Sequence, residues 1–427
     1  MAAPGVTTGS APLSRKAGSG AAEDPLRIAL FTHDTYGMGH VRRATNLIDE
    51  IVARRPEAAI LLATGSSALD ALLGRHPNLD VVKLPTVAPT GGSDDKPSHL
   101  PIGDGAIVAI RRQVLLALMG EFRPHALYVD NFALGARKEL APTLAMLRRT
   151  PTRTILGLRD IIDAPEAIQE RWPRDGVLDA LRDLYDEVLV FGAPEVFDLA
   201  EEYALDGPLR DKLRYCGYVA REAAPASEAR MAELGLGRPS VVVTVGGGGD
   251  GAPLVRGFLE AAPGLPELSA LVVTGPLMGA RVREGLEALA AESGGRVTLR
   301  DFVPDLPALM AAADLVVSMG GYNTVAEILR NRCRALIVPR NWRYGQHGQG
   351  AAAGLEMEQP LRARMLERAG LAACLSAEGL TPEGLRGAIR RALSLPRPAA
   401  RMPFEGAGRG AEAILAQAEQ GRLAHAV

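Results

Sequence analysis

Three glycine clusters in this sequence have the composition of ligand turns, and each is followed by polar residues suited to chemistry. The first is Tyr36-Gly37-Met38-Gly39-His40-Val41-Arg42-Arg43. Gly37 and Gly39 let a backbone approach a ligand closely and open a helix. His40 falls at that helix's N-terminus, where the dipole disfavours imidazolium and keeps a neutral base available. Asp34, just upstream, is a second candidate base. Arg42 occupies the third glycine position of the dinucleotide fingerprint, so nicotinamide binding is disfavoured. The second cluster, Gly246-Gly247-Gly248-Gly249-Asp250, follows an apolar run and presents successive N–H groups to an anion. It lacks the Lys-Ser/Thr of a P-loop. The third is Ser318-Met319-Gly320-Gly321-Tyr322-Asn323-Thr324-Val325-Ala326-Glu327. Its glycine pair and polar helix start form another phosphate-type cradle. A carboxylate at Glu327 suits a ribose diol, which offers two donors. Its bland alternative is a residue that merely stabilises its own helix N-terminus.

These turns need sheets to hold them. Short, continuously apolar runs, the mark of parallel strands covered on both faces, fall at 27–32, 59–64, 81–84, 126–130, 153–158 and 187–191. Helical patterns such as 41–54 and 136–149 separate them. After a polar stretch at 221–228 the alternation restarts, with strands predicted at 240–245, 270–274, 297–302, 315–318, 335–338 and 371–375. The expected fold class is therefore α/β, with two Rossmann-like, doubly wound parallel-sheet domains facing a cleft. The expected division is a disordered tail at 1–24, domains at 25–220 and 221–395, and a segment 396–427 whose helix packs back toward the first domain. A long Pro/Gly/Ser-rich loop at 85–105 is expected to gate the cleft.

Composition excludes several functions. The 427 residues hold 48 Lys+Arg and 50 Asp+Glu, for a net charge of −2. That balance and 4 % aromatic content argue against nucleic acid as a partner. Three separated cysteines, Cys216, Cys333 and Cys374, provide neither a disulfide framework nor a four-Cys zinc site. They read as apolar fillers in a reducing, cytoplasmic compartment. No apolar run is long enough for a transmembrane helix, which leaves peripheral membrane contact open. The sequence has no Asp-x-Asp and no paired His spacing, and neither a metal nor a cofactor is expected. Polar residues at the ends of predicted strands, Asp130-Asn131 and Arg159-Asp160, are candidates for an acceptor side together with Gly37, Gly39 and Arg43.

Taken together, the glycine turns and Gly-Gly-x-x-Thr-x-x-Glu resemble GT-B glycosyltransferases. The branch of closest likeness contains the bacterial peptidoglycan GlcNAc transferases, glycosyltransferase family 28. The likeness covers roughly 26–395 and is strongest over 296–370. It implies a metal-independent transfer of a sugar from a nucleotide sugar, UDP by preference, to an acceptor hydroxyl with inversion. The nucleotide sugar is then a co-substrate, and the acceptor (glycan, lipid-linked or small molecule) is unknown. The resemblance implies that Glu327 binds ribose and that Gly320, Gly321, Asn323 and Thr324 line the diphosphate, across from Gly246, Gly247 and Gly248. It sets Phe302 and Val303 against the nucleobase, and Glu358 and Gln359, in Glu358-Gln359-x-x-Arg362-Ala363, on the donor sugar. His40 matches the His of the family's first glycine loop. Two features depart from the family: the first loop is not Gly-Gly-x-Gly-Gly-His, and extra residues, including Arg340, Arg343, Tyr344, His347 and Gln349, lie between Pro339 and Glu358. Gly-x-Gly-His-x-x-Arg also resembles nucleotide-sugar hydrolases of the same fold. A hydrolase or epimerase using His40, or a non-catalytic nucleotide-sugar-binding subunit, thus stays open beside transfer.

Overall fold

The computed structural model describes residues 24–32, 39–66, 74–86, 100–220, 222–340, 357–399 and 402–425, without the side chains of Gly39, His40 and Asp104. The tail at 1–23, Asp34, Gly37, most of the proposed gate, and Arg343, Tyr344, His347 and Gln349 lie outside the described residues.

Two parallel sheets carry the fold. The first holds β1 (Arg27–Thr32), β2 (Ala59–Thr64), β3 (Leu79–Lys83), β4 (Ala126–Asp130), β5 (Arg153–Arg159), β6 (Glu187–Phe191) and β7 (Leu213–Tyr215), in the order β3-β2-β1-β4-β5-β6-β7. The second holds β8 (Ser240–Thr244), β9 (Ser269–Val273), β10 (Val297–Arg300), β11 (Leu315–Ser318), β12 (Ala335–Ile337) and β13 (Ala373–Cys374), in the order β10-β9-β8-β11-β12-β13. Each sheet reverses its winding next to its first strand, between β1 and β4 and between β8 and β11. Such reversals open a crevice beyond the carboxyl ends of the strands. The central strands are buried on both faces: Ile28 to Phe31 and Val241 to Val243 have no solvent exposure. That is why their sequences run continuously apolar rather than alternating.

Two elements differ from the sequence reading. The short edge strand β7 was not predicted, because Leu213-Arg214-Tyr215 is too brief to show a period. The helix expected at 136–149 starts only at Ala141. A loop precedes it in which Asn131, Gly135 and Lys138 all have positive φ (66°, 80° and 57°). Its anchor is Glu139, fully buried, whose Oε1 accepts from Arg111 Nη2 at 2.7 Å and whose Oε2 accepts from the Arg137 amide.

The last helix, Gly406–His425, lies on the first domain. Ala411, Ile414 and Ala418 enter the same core as Leu47, Ile51 and Phe191. Gln417 bridges Arg153 and Glu187.

Candidate functional site

The strand order of the second sheet sets the two glycine turns against each other. The 246–249 run leaves β8 and Gly320-Gly321 leaves β11, its neighbour across the reversal. Close packing makes two of these glycines obligatory. Gly248 has φ 91°, and a Cβ there would stand 2.0 Å from the Thr274 carbonyl oxygen; at Gly320, φ 83°, it would stand 2.8 Å from Ile337. Gly321 caps the helix Tyr322–Arg330, and Gly251 caps Ala252–Ala261; neither helix has a side-chain cap. Both therefore direct uncommitted N–H groups and a positive dipole end at the crevice, the arrangement that receives an anion. Asn323 and Thr324, in the first turn, are half-buried.

Around this cradle, Phe302 is 55 % exposed and free to meet a flat ligand, whereas Val303 is buried in the domain core. The nucleobase contact expected of both side chains can come only from Phe302. Arg340 pairs with Asp250 and so ties the segment after β12 to the 246–249 turn. Its amide donates to Gln359 Oε1 at 3.2 Å.

The two carboxylates singled out in the second domain both meet arginines of the first. Glu327 does not cap its own helix: Oε1 stands 2.9 Å from Arg42 Nη2. Burial pushes the Glu327 acid up, and Arg42 only partly offsets it. Glu358 has Arg159 Nη1 at 2.8 and 2.9 Å from its two oxygens and Arg362 Nη1 at 3.0 Å from Oε1. Burial alone would raise this acid; the two guanidinium groups outweigh it and hold it at about 2. The expected sugar ligand Glu358 is thus bound within the domain interface.

The structure also revises the acceptor side. Arg43, Asp130 and Asp160 are buried rather than presented at a surface. Arg43 donates from Nε to Asp130 Oδ1 at 2.7 Å, and Tyr128 donates to the same oxygen at 3.0 Å. Asp160 accepts from Tyr218 (2.7 Å) and Arg362 Nη2 (3.3 Å). The reason is the partners: Asp130 is taken up inside the first domain by Arg43 and Tyr128, and Asp160 is covered from the second domain by Arg362. Asn131 is half-buried, its amide donating to Gly157. His40 is the second residue of the helix Gly39–Arg54, at the carboxyl edge of the first sheet.

Tyr322 and Tyr218, at the boundary between the domains, were not anticipated from the sequence. Tyr322, the first residue of its helix, donates to the Phe191 carbonyl across the domain boundary at 2.8 Å. Its ring lies between the guanidinium groups of Arg43 (5.9 Å) and Arg362 (5.7 Å). Arg362 Nη1 also donates to the Gly320 carbonyl at 3.1 Å. An aromatic directly after Gly-Gly in a polar turn was the available signal. Among the described residues no cluster of His, Cys, Asp and Glu could hold a metal, and no helix is long and apolar enough to cross a membrane. Burial pushes all three thiols up to about 12, which leaves them inert at neutral pH.

Two doubly wound parallel-sheet domains that meet at the carboxyl ends of their strands have the GT-B architecture, and solved structures agree on that fold. The glycotransferase of kitacinnamycin superposes with a TM-score of 0.63 at 18 % identity, over 92 % of this chain and 99 % of that one. MurG of Acinetobacter baumannii superposes with a TM-score of 0.53 at 13 % identity, over 93 % and 95 %. Within that class the chain is similar to glycosyltransferase family 28: residues 241–414 match the glycosyltransferase family 28 C-terminal domain. A relative from Anaeromyxobacter sp. (strain Fw109-5) is 26 % identical over 343 residues, 79 % of this chain and 83 % of its own length. It is a UDP-N-acetylglucosamine--N-acetylmuramyl-(pentapeptide) pyrophosphoryl-undecaprenol N-acetylglucosamine transferase. Other relatives bearing that name match over 57 % of their length.

Proposed function

We propose that the chain moves a sugar from a nucleotide sugar, with UDP as the preferred carrier, to an acceptor hydroxyl, with inversion and without a metal or cofactor. One observation carries this reading: two obligatory glycine turns face each other across the reversal of the second sheet, beside two uncapped helix N-termini, with Glu327 one turn further on. In this reading the diphosphate rests on Gly246, Gly247, Gly248, Gly320, Gly321, Asn323 and Thr324. Charge grows on that diphosphate as the sugar leaves, and fixed N–H groups stabilise it without reorganising. Glu327 accepts from the ribose hydroxyls and Phe302 meets the base. His40, with Asp34 as the other candidate, takes the proton of the attacking hydroxyl from the first domain. Gln359 is the remaining candidate for the sugar hydroxyls, since Glu358 is held by arginines. That the relatives are UDP-N-acetylglucosamine transferases acting on a pyrophosphoryl-undecaprenol acceptor supports a UDP-linked donor and a lipid-linked acceptor. An acceptor of that kind fits a cytoplasmic chain with peripheral membrane contact.

Thermal stability measured with UDP, GDP, dTDP and CDP, beside ATP and NAD, tests the donor site. A ligand at a hundredfold its Kd adds about 2.7 kcal/mol of stability. One nucleoside diphosphate is expected to stabilise the protein, and Glu327→Gln to abolish the effect. Stabilisation by NAD or ATP alone would overturn the reading. Donor consumption without any acceptor separates hydrolysis from transfer.

A further inference from the structure

Arg42 and Arg43 are neighbours on one helix, yet they do opposite things. Successive helical residues point about 100° apart. Arg43 turns inward to Asp130 and is buried. Arg42 turns outward across the cleft, its side chain 50 % exposed, and places one nitrogen on Glu327, whose side chain is 12 % exposed. A buried carboxylate on one domain is thus matched, among the described residues, by one half-solvated arginine from the other. Such a pair is weak: the arginine keeps its alternatives in water, and salt screens it.

We propose that Arg42 is a releasable latch. In the ligand-free chain it occupies the carboxylate that the donor's ribose must reach, so a nucleotide binds only as Arg42 leaves Glu327. The proposal rests on the reading of Glu327 as the ribose ligand. The competition is chemical: two ribose hydroxyls donate to the same oxygens that accept from the guanidinium. Because Arg42 belongs to the first domain and Glu327 to the second, its release also removes a link between the domains. Donor entry and loosening of the cleft become one event.

The test is titration calorimetry on the full chain with uridine, cytidine, guanosine and adenosine and with their diphosphates, for the wild type, Arg42→Gln and Glu327→Gln. A nucleoside carries the base and ribose without phosphate, so it reports their contacts free of the glycine turns. Arg42→Gln is expected to tighten the preferred nucleoside and its diphosphate about two- to five-fold, the strength of a half-exposed ion pair. Wild-type affinity for the nucleoside is expected to rise with added NaCl, and that rise to vanish in Arg42→Gln. Unchanged or weaker binding by Arg42→Gln overturns the latch. Weakening confined to the diphosphates also overturns it and assigns Arg42 to the phosphates. If Glu327→Gln abolishes binding while Arg42→Gln changes nothing, the latch falls and the ribose assignment stands. If no nucleoside diphosphate binds the wild type, or Glu327→Gln binds normally, both fall.

Discussion

Glu327 and Glu358 are both glutamates of the second domain, both are largely removed from water, and both meet an arginine of the first domain. Their acids move in opposite directions. Glu358 is embraced by two guanidinium groups and drops to about 2; Glu327 faces one half-exposed guanidinium and rises. Burial acts on both alike, so the difference lies in the compensation. A buried charge that is fully compensated is part of the structure. One that is under-compensated is stable only as far as something else is ready to satisfy it, and that is what a ligand site requires.

The comparison can be broken most sharply at Arg362. It serves Glu358, Asp160 and the Gly320 carbonyl at once. Arg362→Ala takes one buried guanidinium from two carboxylates at once, leaving Glu358 to Arg159 and Asp160 to Tyr218, and should cost about 3–5 kcal/mol, read from the urea midpoint. A cost under 1 kcal/mol would show that water replaces it and that the interface is wet. Next comes pH. Glu358 has a lowered folded value, so its contribution is complete above the unfolded value near 4.5 and is lost as pH falls toward 2. That loss amounts to about 3 kcal/mol. Glu327 has a raised value, so its contribution is present at low pH and is lost as pH rises through the folded value. Accordingly Glu358→Gln should destabilise at pH 7 and flatten the acid limb, whereas Glu327→Gln should stabilise at pH 7. Equal signs in chemical denaturation would erase the distinction. Tyr322→Phe removes one buried hydrogen bond to the Phe191 carbonyl while leaving the ring between its two arginines, and should cost about 1 kcal/mol. The smallest effect is expected of Arg42→Gln, whose folding stability should change by less than about 1 kcal/mol, although its nucleotide affinity changes.

Much of the architecture could be read from the residues. Continuous apolar runs located twelve of the strands, because parallel strands between helices leave no room for alternation. The glycine turns were visible for the same reason that makes Gly248 and Gly320 obligatory: only glycine tolerates that φ against a neighbouring backbone or side chain. Partnerships were not legible. Glu358 and Arg159 lie 199 positions apart, and no local pattern announces that one will neutralise the other. The contrast between Arg42 and Arg43 depends on helix phase relative to two domains. The late start at Ala141 follows from Arg111 and Glu139, a pair buried between distant segments. Helical propensity at 136–140 yields to that anchor.

The return of the final helix has a consequence for how the molecule is made. The chain leaves the first domain near Val219 and comes back at Glu405, where the two passes form an antiparallel bridge. Tyr218 donates its amide to the Pro403 carbonyl at 2.8 Å and accepts from the Gly406 amide at 3.1 Å. The helix that follows supplies part of the first domain's core. On the ribosome, the first domain's sheet emerges early, but Leu47, Ile51 and Phe191 lack the cover of Ala411, Ile414 and Ala418 until the helix Gly406–His425 has been added, after the whole second sheet. A nascent chain stopped before residue 406 would present that bare apolar face beside a finished second domain. Quality control would meet this protein half-closed, with its second domain already built.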